Sequence, residues 1–106
     1  MTATIPERVV KGAALLDEKL PGWDRRIDTS MLLLASPYRC VLGQLWMGDV
    51  NEDATNPFMS QLDTLGLDIH SSVGFGFNAD APEDFDDLTD AWRNVIEDRR
   101  VEAVAR

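Results

Sequence analysis

The sequence has few of the features on which disulfide pairing, secretion and membrane insertion depend. Its 106 residues include one cysteine, Cys40, which excludes an intramolecular disulfide. The first residues form neither the basic region nor the apolar stretch of a secretory signal. The longest apolar run covers residues 31–35, far short of the roughly 20 residues that a membrane-spanning helix needs. We therefore expect a cytoplasmic protein that does not bind membranes.

Basic residues are missing from the middle of the chain. Residues 40–92 hold eleven Asp and Glu and no Lys or Arg, whereas the residues on either side are nearly balanced in charge. The whole net charge of −9 therefore arises in this segment. Non-specific binding to phosphates needs clustered Lys and Arg, so we expect no direct binding to nucleic acid. The acids are densest near the end of the segment, at Asp80, Glu83, Asp84, Asp86, Asp87 and Asp90.

Four local sequences are typical of helix starts. A capping residue (Thr4, Ser36, Asn56 or Asp80) precedes a proline at or near the first helical position in each. Thr4 and Asp80 are also followed three residues later by Glu, the pattern of a capping box. Apolar residues at helical spacing come next. The predicted helices cover residues 5–20, 37–48, 57–65 and a last stretch that begins at residues 80–83.

Two segments leave the secondary structure open. Residues 27–35 are compatible with one short strand. Residues 67–77 alternate as in a strand, but two glycines weaken that pattern, and a short helical turn after Asp68 followed by extended chain fits equally well. The chain is therefore predicted to be one small globular domain, mainly α, with four helices and one short β-strand pair as an open addition.

Several short motifs are distinctive. They are Pro21-Gly22-Trp23, the Cys-Val-Leu-Gly-Gln run at residues 40–44, Gly76-Phe77, and a closing helix with Leu-Thr, Ala-Trp and Arg-Arg between residues 88 and 100. In these motifs the chain resembles small uncharacterised proteins of actinobacteria and their phages. The resemblance implies a cytosolic origin in a phage or its host cell, and no activity.

Residues for catalysis or metal binding do not form a convincing set. Cys40 lies near a predicted helix start, where a thiolate is favoured, but burial beside Val41 is the stronger interpretation, and nothing in the sequence brings His70 to it. Residues 49–60 begin like a calcium loop, but Ala54 stands where that loop needs glycine, and Ser60 where it needs a bidentate Glu. We predict no catalytic residue, no metal and no cofactor.

The acidic run has two interpretations. Acids in the first turns of a helix complement its dipole and are ordinarily solvated. The alternative is a partner-binding face, predicted at Asp80, Glu83, Asp84, Asp87 and Asp90. Our leading hypothesis is a non-enzymatic, phage-type accessory or regulatory protein that binds a basic surface of a host protein through this face. An array of carboxylates can also mimic the charge of nucleic acid.

Two further hypotheses concern the second predicted helix. A small-molecule-binding or hydrolytic protein would have its ligand pocket near Cys40 and Gln44, facing residues 74–77, where glycines allow a ligand close to the backbone. A homo-oligomeric structural protein would instead hide Cys40, Gly43 and Met47 in a homodimer interface.

Overall fold

Six α-helices make up most of the chain that the structure, a computed structural model, describes: residues 4–46 and 57–105. They are α1 (Ile5–Lys19), α2 (Trp23–Arg26), α3 (Val41–Leu45), α4 (Pro57–Leu65), α5 (Ile69–Gly74) and α6 (Phe85–Ala105), with a 3-10 turn at Pro82–Asp84. The mainly helical class is confirmed. The number of helices is six rather than four, and these residues contain no strand. The candidate calcium loop covers residues 49–60, and its residues 49–56 lie outside the described residues.

Helix α1 begins and ends where the sequence predicts. The Glu7 amide donates to the Thr4 hydroxyl and the Thr4 amide donates to the Glu7 carboxylate, both at 3.3 Å, so the capping box is confirmed. Val9, Ala13 and Leu16 form its buried face. That face packs against α6 and α5.

Three aromatic rings form the centre of the core. Trp23, Phe77 and Trp92 are buried, and the Trp92 ring lies 5.7 Å from Trp23 edge-on and 5.5 Å from Phe77 in a stacked arrangement. The Trp92 indole N–H donates to the Gly76 carbonyl at 2.7 Å, so its polar atom is satisfied inside the core. Trp23 therefore folds back onto the core as predicted, and it does so from α2.

The second predicted helix is wrong in length. It was expected over residues 37–48, but α3 covers only Val41–Leu45, and its N-cap is Cys40 rather than Ser36. The Ser36 hydroxyl accepts from the amides of Tyr38 and Arg39 and so caps a tight turn instead of a helix. Tyr38, which lies in this turn, is exposed.

Residues 27–35 form successive turns instead of the strand that we left open. Two of their backbone amides bond to partners outside the segment. The Leu34 amide donates to the Thr89 hydroxyl at 3.0 Å, and the Leu33 amide donates to the Arg39 carbonyl at 3.2 Å. A segment whose polar backbone is satisfied in this way needs no strand partner.

Residues 67–77 adopt the helical alternative. Asp68 caps α5, with its carboxylate accepting from the Ser71 amide at 2.7 Å. The chain then turns at Gly76, whose φ is +74°, so the extended stretch predicted after this helix is not found. The last helix begins near the predicted place, but the residue at its cap is Ala81 and it makes no side-chain bond, so the second capping box does not form.

Candidate functional site

The five acids predicted to bind a partner lie at the start of the last helix. Asp80, Glu83, Asp87 and Asp90 are exposed, and Asp84 is half-buried. With 3.6 residues per turn, Asp87 and Asp90 point about 140–200° away from the buried Trp92 around the helix axis. The structure thus places these side chains on the outward side of the molecule.

The same side of α6 carries three acids that the prediction did not include. Asp86, Glu97 and Asp98 are exposed and lie within about 80° of Asp90 around the helix. Their spacing in the sequence was the available signal, but our predicted face left out Asp86, although it belongs to the acidic run, and ended at Asp90. We call the acidic face the set Glu83, Asp86, Asp87, Asp90, Glu97 and Asp98, with Asp80 and Asp84 at its edge.

The arginines of α6 are engaged elsewhere. Arg100 donates to the carbonyls of Asp24 and Ile27, and Arg93 donates to the carbonyl of Thr29 at 3.4 Å. These bonds hold the connection that follows α2, because they satisfy backbone oxygens there.

Arg99 is the third such arginine. Its guanidinium donates to both carboxylate oxygens of Asp17 on α1, at 2.6 and 2.9 Å, and lies 5.4 Å from the Trp23 ring. This hydrogen bond from Arg99 holds the pKa of Asp17 below its usual value. The Trp23 indole also donates to Asp17, at 2.9 Å.

Most carboxylates of the acidic face therefore have no basic partner in the described part of the chain. Within the described residues, Asp90 is the one member that pairs with a base, through a 3.2 Å contact to Arg93. That pair is exposed, and exposed pairs contribute little to stability. The helix dipole explains only part of the face, because its effect falls off after the first turn and Asp90, Glu97 and Asp98 lie beyond it.

Cys40 is placed for packing and not for chemistry. Its side chain is buried, its sulfur accepts from the Gly43 amide at 3.3 Å, and its thiol donates to the Pro37 carbonyl at 3.8 Å. Burial raises the pKa of the thiol from 9.0 to about 11, opposite to the shift that activates a nucleophile. The sole histidine, His70, is exposed on α5 and makes no hydrogen bond to Cys40.

Gln44 has its polar groups occupied by the backbone. Its amide oxygen accepts from the Asp28 amide at 2.7 Å, and its nitrogen donates to the carbonyls of Asp28 at 3.3 Å and Arg39 at 2.9 Å. Gln44 therefore fastens two turns together and has no group aimed into a pocket.

Gly43 receives a close backbone approach from within the same chain. A Cβ at this position would lie 2.1 Å from the Pro37 carbonyl oxygen. Met47, the third member of the predicted homodimer face, lies outside the described residues. A homodimer stays a prediction, and the Gly43 part of its interface is already covered by the chain's own turn.

A cavity of about 190 Å³ lies beside Cys40. Its inner wall consists of the buried residues Leu34, Cys40 and Phe77, and Phe58 and Phe85 stand nearer to solvent. The predicted pocket was to include Gln44 and residues 74–77. Of those, Phe77 lines this cavity and Gln44 does not.

No protein family, curated protein or solved structure matches this chain. No helix within the described residues is long and apolar enough to cross a membrane.

Proposed function

We propose that this chain is a non-enzymatic binding protein that docks its acidic face onto a basic surface of a host protein. One observation carries the proposal: each of the three arginines of α6 among the described side chains bonds to the body of the molecule, and although Arg93 also pairs with Asp90, the other carboxylates of the acidic face point outward without a basic partner in the described residues. A helix that were merely solvated would gain from mixing both signs of charge on its exposed side. The sorting of charge favours a partner that supplies the missing cations.

The spacing of the carboxylates supports mimicry of nucleic-acid charge. Seven carboxylates lie between Glu83 and Asp98, a helical length of about 22 Å. Five of them lie within residues 83–90, about 10 Å of helix, and the other two follow about 10 Å farther on, so the array is as dense as the phosphates of a DNA strand, about one per 3.4 Å, only over its first part. We propose that the surface that receives this face is one that otherwise binds the phosphate backbone. The phage-type resemblance suggests a protein of the host cell.

Such an interaction has a recognisable dependence on salt. Complementary charge accelerates association, and salt screens it, with a Debye length of about 10 Å at 0.1 M ionic strength. Binding should therefore be tightest at low ionic strength. A duplex DNA fragment should compete for the same partner, because both ligands would occupy one basic surface.

A capture experiment from an actinobacterial host lysate tests the proposal. The wild-type chain is compared with a face variant, Asp84→Asn with Asp87→Asn and Asp90→Asn. The control variant is Glu18→Gln with Asp24→Asn and Asp63→Asn, which removes the same three charges away from α6. We expect the wild type and the control to retain the same protein at low salt, and the face variant to lose it.

One result would contradict docking through the acidic face, and another would contradict only the mimicry of nucleic acid. One is equal recovery by the face variant, which would show that the charge on α6 is not recognised. The other is a retained partner that duplex DNA does not displace, which would remove the mimicry and leave simple docking. Circular dichroism of each variant confirms that its helices are intact.

A further inference from the structure

The cavity beside Cys40 limits the size of any molecule that it holds. Its volume is about 190 Å³. Pockets for drug-sized ligands are larger, at about 300–1,000 Å³, so a nucleotide or an extended cofactor does not fit inside. A cavity of about 150 Å³ lined by apolar residues holds benzene. The volume therefore suits a molecule with one aromatic ring and a small substituent.

The walls of the cavity offer no charge to a ligand. The described residues that line it include no acid and no base. Cys40, which lines its inner end, stays a neutral thiol at pH 7, because burial raises the pKa of that thiol to about 11. A charged ligand would lose its hydration here without gaining an ion pair, which is strongly unfavourable. We therefore expect an uncharged ligand.

Three phenylalanines give the cavity an aromatic wall. Phe58 comes from α4, Phe77 from the turn after α5, and Phe85 from the start of α6. Phe77 is buried and stacks on Trp92 at 5.5 Å between ring centroids, so the core holds this part of the wall in place. Neighbouring aromatic rings attract each other beyond the gain from burial alone. The wall therefore favours an aromatic ring over a saturated one.

One lining side chain has hydrogen-bond donors to spare. The side-chain oxygen of Asn78 accepts from the Ala79 amide at 2.9 Å, which fixes the orientation of the Asn78 amide group. The nitrogen of that group carries two N–H donors and forms no hydrogen bond within the described part of the chain. The Cys40 thiol, in contrast, already donates to the Pro37 carbonyl. A hydroxyl or carbonyl oxygen on the ligand therefore has a donor at the cavity wall.

The cavity lies away from the acidic face. Phe85 and Trp92 are seven residues apart and lie within about 20° of each other around α6, on its packed side, whereas Asp87 and Asp90 point outward. We propose that the cavity binds a small, uncharged aromatic molecule that carries one oxygen substituent. This site is additional to the docking of a basic partner and does not depend on it.

Titration of the intact wild-type chain, followed by amide chemical shifts, tests the inference. Benzyl alcohol is the probe, cyclohexylmethanol is its saturated analogue, and benzylamine and benzoate are its charged analogues. We expect benzyl alcohol to give a saturable change with a Kd of about 1 mM or below, largest at Cys40, Phe77 and Phe85. Cyclohexylmethanol should bind about two- to tenfold more weakly, and the charged analogues more than about tenfold more weakly.

A matched pair of variants locates the site. Ala35 lines the cavity and is exposed, so Ala35→Phe places a ring at the mouth and should abolish the saturable change. Ala14→Phe adds the same ring at an exposed position of α1 that does not line the cavity, and it should leave binding unchanged. Circular dichroism checks that both variants keep their helices, and the titration of the wild-type chain stands without either.

Three results would overturn the inference. The first is no saturable change with benzyl alcohol up to about 10 mM, ten times the expected Kd. The second is a change that is spread over exposed residues outside the lining and persists in the Ala35→Phe variant. The third is equal binding of cyclohexylmethanol or of a charged analogue, which would show that the wall selects neither aromatic nor neutral ligands. None of these results bears on the proposed docking, which depends on the acidic face.

Discussion

Replacement of Gly12 by alanine should destabilise the protein, although helix propensity predicts the reverse. Gly12 lies in the middle of α1, where alanine is favoured over glycine by about 1 kcal/mol. A Cβ at this position, however, would lie 2.0 Å from the Phe75 carbonyl oxygen and 3.0 Å from the Trp92 ring. The obstacle is backbone, so it cannot be relieved by rotation of a side chain.

The expected magnitude follows from these opposing terms. The Phe75 oxygen must move by about 1 Å or more, and its neighbour Gly76 holds the Trp92 indole, so we take the upper part of the range for overpacking, about 3 kcal/mol. After the gain in propensity, the net loss is about 2 kcal/mol. For a domain of this size that lowers Tm by about 8–16 °C.

Thermal unfolding followed by circular dichroism measures this effect. The control is Gly74→Ala at the end of α5, where an added Cβ meets no atom within 4 Å and should leave Tm unchanged or raise it. A Gly12→Ala protein that melts at or above the wild-type temperature would refute the close approach of α1 to the turn at Phe75.

Three other predictions concern Asp17, Cys40 and the acidic face. Asp17→Asn should lower Tm at neutral pH, and the difference from wild type should shrink as pH falls below about 4. The pKa of Asp17 is lower in the folded chain than its unfolded value of 3.8, so the stability that the carboxylate contributes is present above 3.8 and is lost when the group is protonated. A difference in Tm that stays constant from pH 7 to 2.5 would contradict this. Cys40 should react with iodoacetamide at pH 7.5 at least about 100-fold more slowly in the native chain than in urea, because a pKa of about 11 instead of 9.0 lowers the thiolate fraction about 100-fold. Fast labelling of the native chain would show that the thiol is at the surface. Asn94→Lys should raise Tm slightly, because the new lysine lies four residues from both Asp90 and Asp98, and it should weaken capture of the basic partner. Unchanged capture would show that the partner does not recognise the acidic face.

Local capping signals predicted the helices whose ends are fixed by neighbouring residues. The Thr4 capping box and the apolar spacing of Val9, Ala13 and Leu16 act within α1, so the sequence is sufficient there. The proline at the start of α4 and Gly66 at its end act in the same way. Each of these features depends on residues within one or two turns of the chain.

Contacts distant in sequence decided what could not be predicted. The break before α3 depends on Gln44, which bonds the backbone of Asp28 and Arg39, and on the Leu33 amide, which bonds the Arg39 carbonyl. The turn at Leu34 depends on Thr89, 55 residues away. No local pattern carries such information, and Ser36-Pro37 looks the same whether it caps a helix or a turn.

Only part of the candidate site could be predicted from the sequence, because the rest also depends on contacts distant in sequence. That acids gather near residue 80 is visible in the sequence. That Arg99 and Arg100 do not pair with them is a tertiary fact, because these two arginines reach Asp17 on α1 and the connection after α2. The cavity is also tertiary, since Leu34, Phe58 and Phe85 come from three separate segments.

The acidic face is unfavourable for the stability of the isolated chain. Glu83 with Asp87, and Asp86 with Asp90, are like charges four residues apart, and each such pair costs a few tenths of a kcal/mol on a helix. The dipole offsets this cost only within the first turn of α6, and Asp90 regains a little from Arg93. Farther along, Glu97 and Asp98 add two more negative charges, and within the described part of the chain neither forms an ion pair. Folding alone would favour a lysine at a position such as 94, so the excess of negative charge on this face supports the proposed docking onto a basic surface.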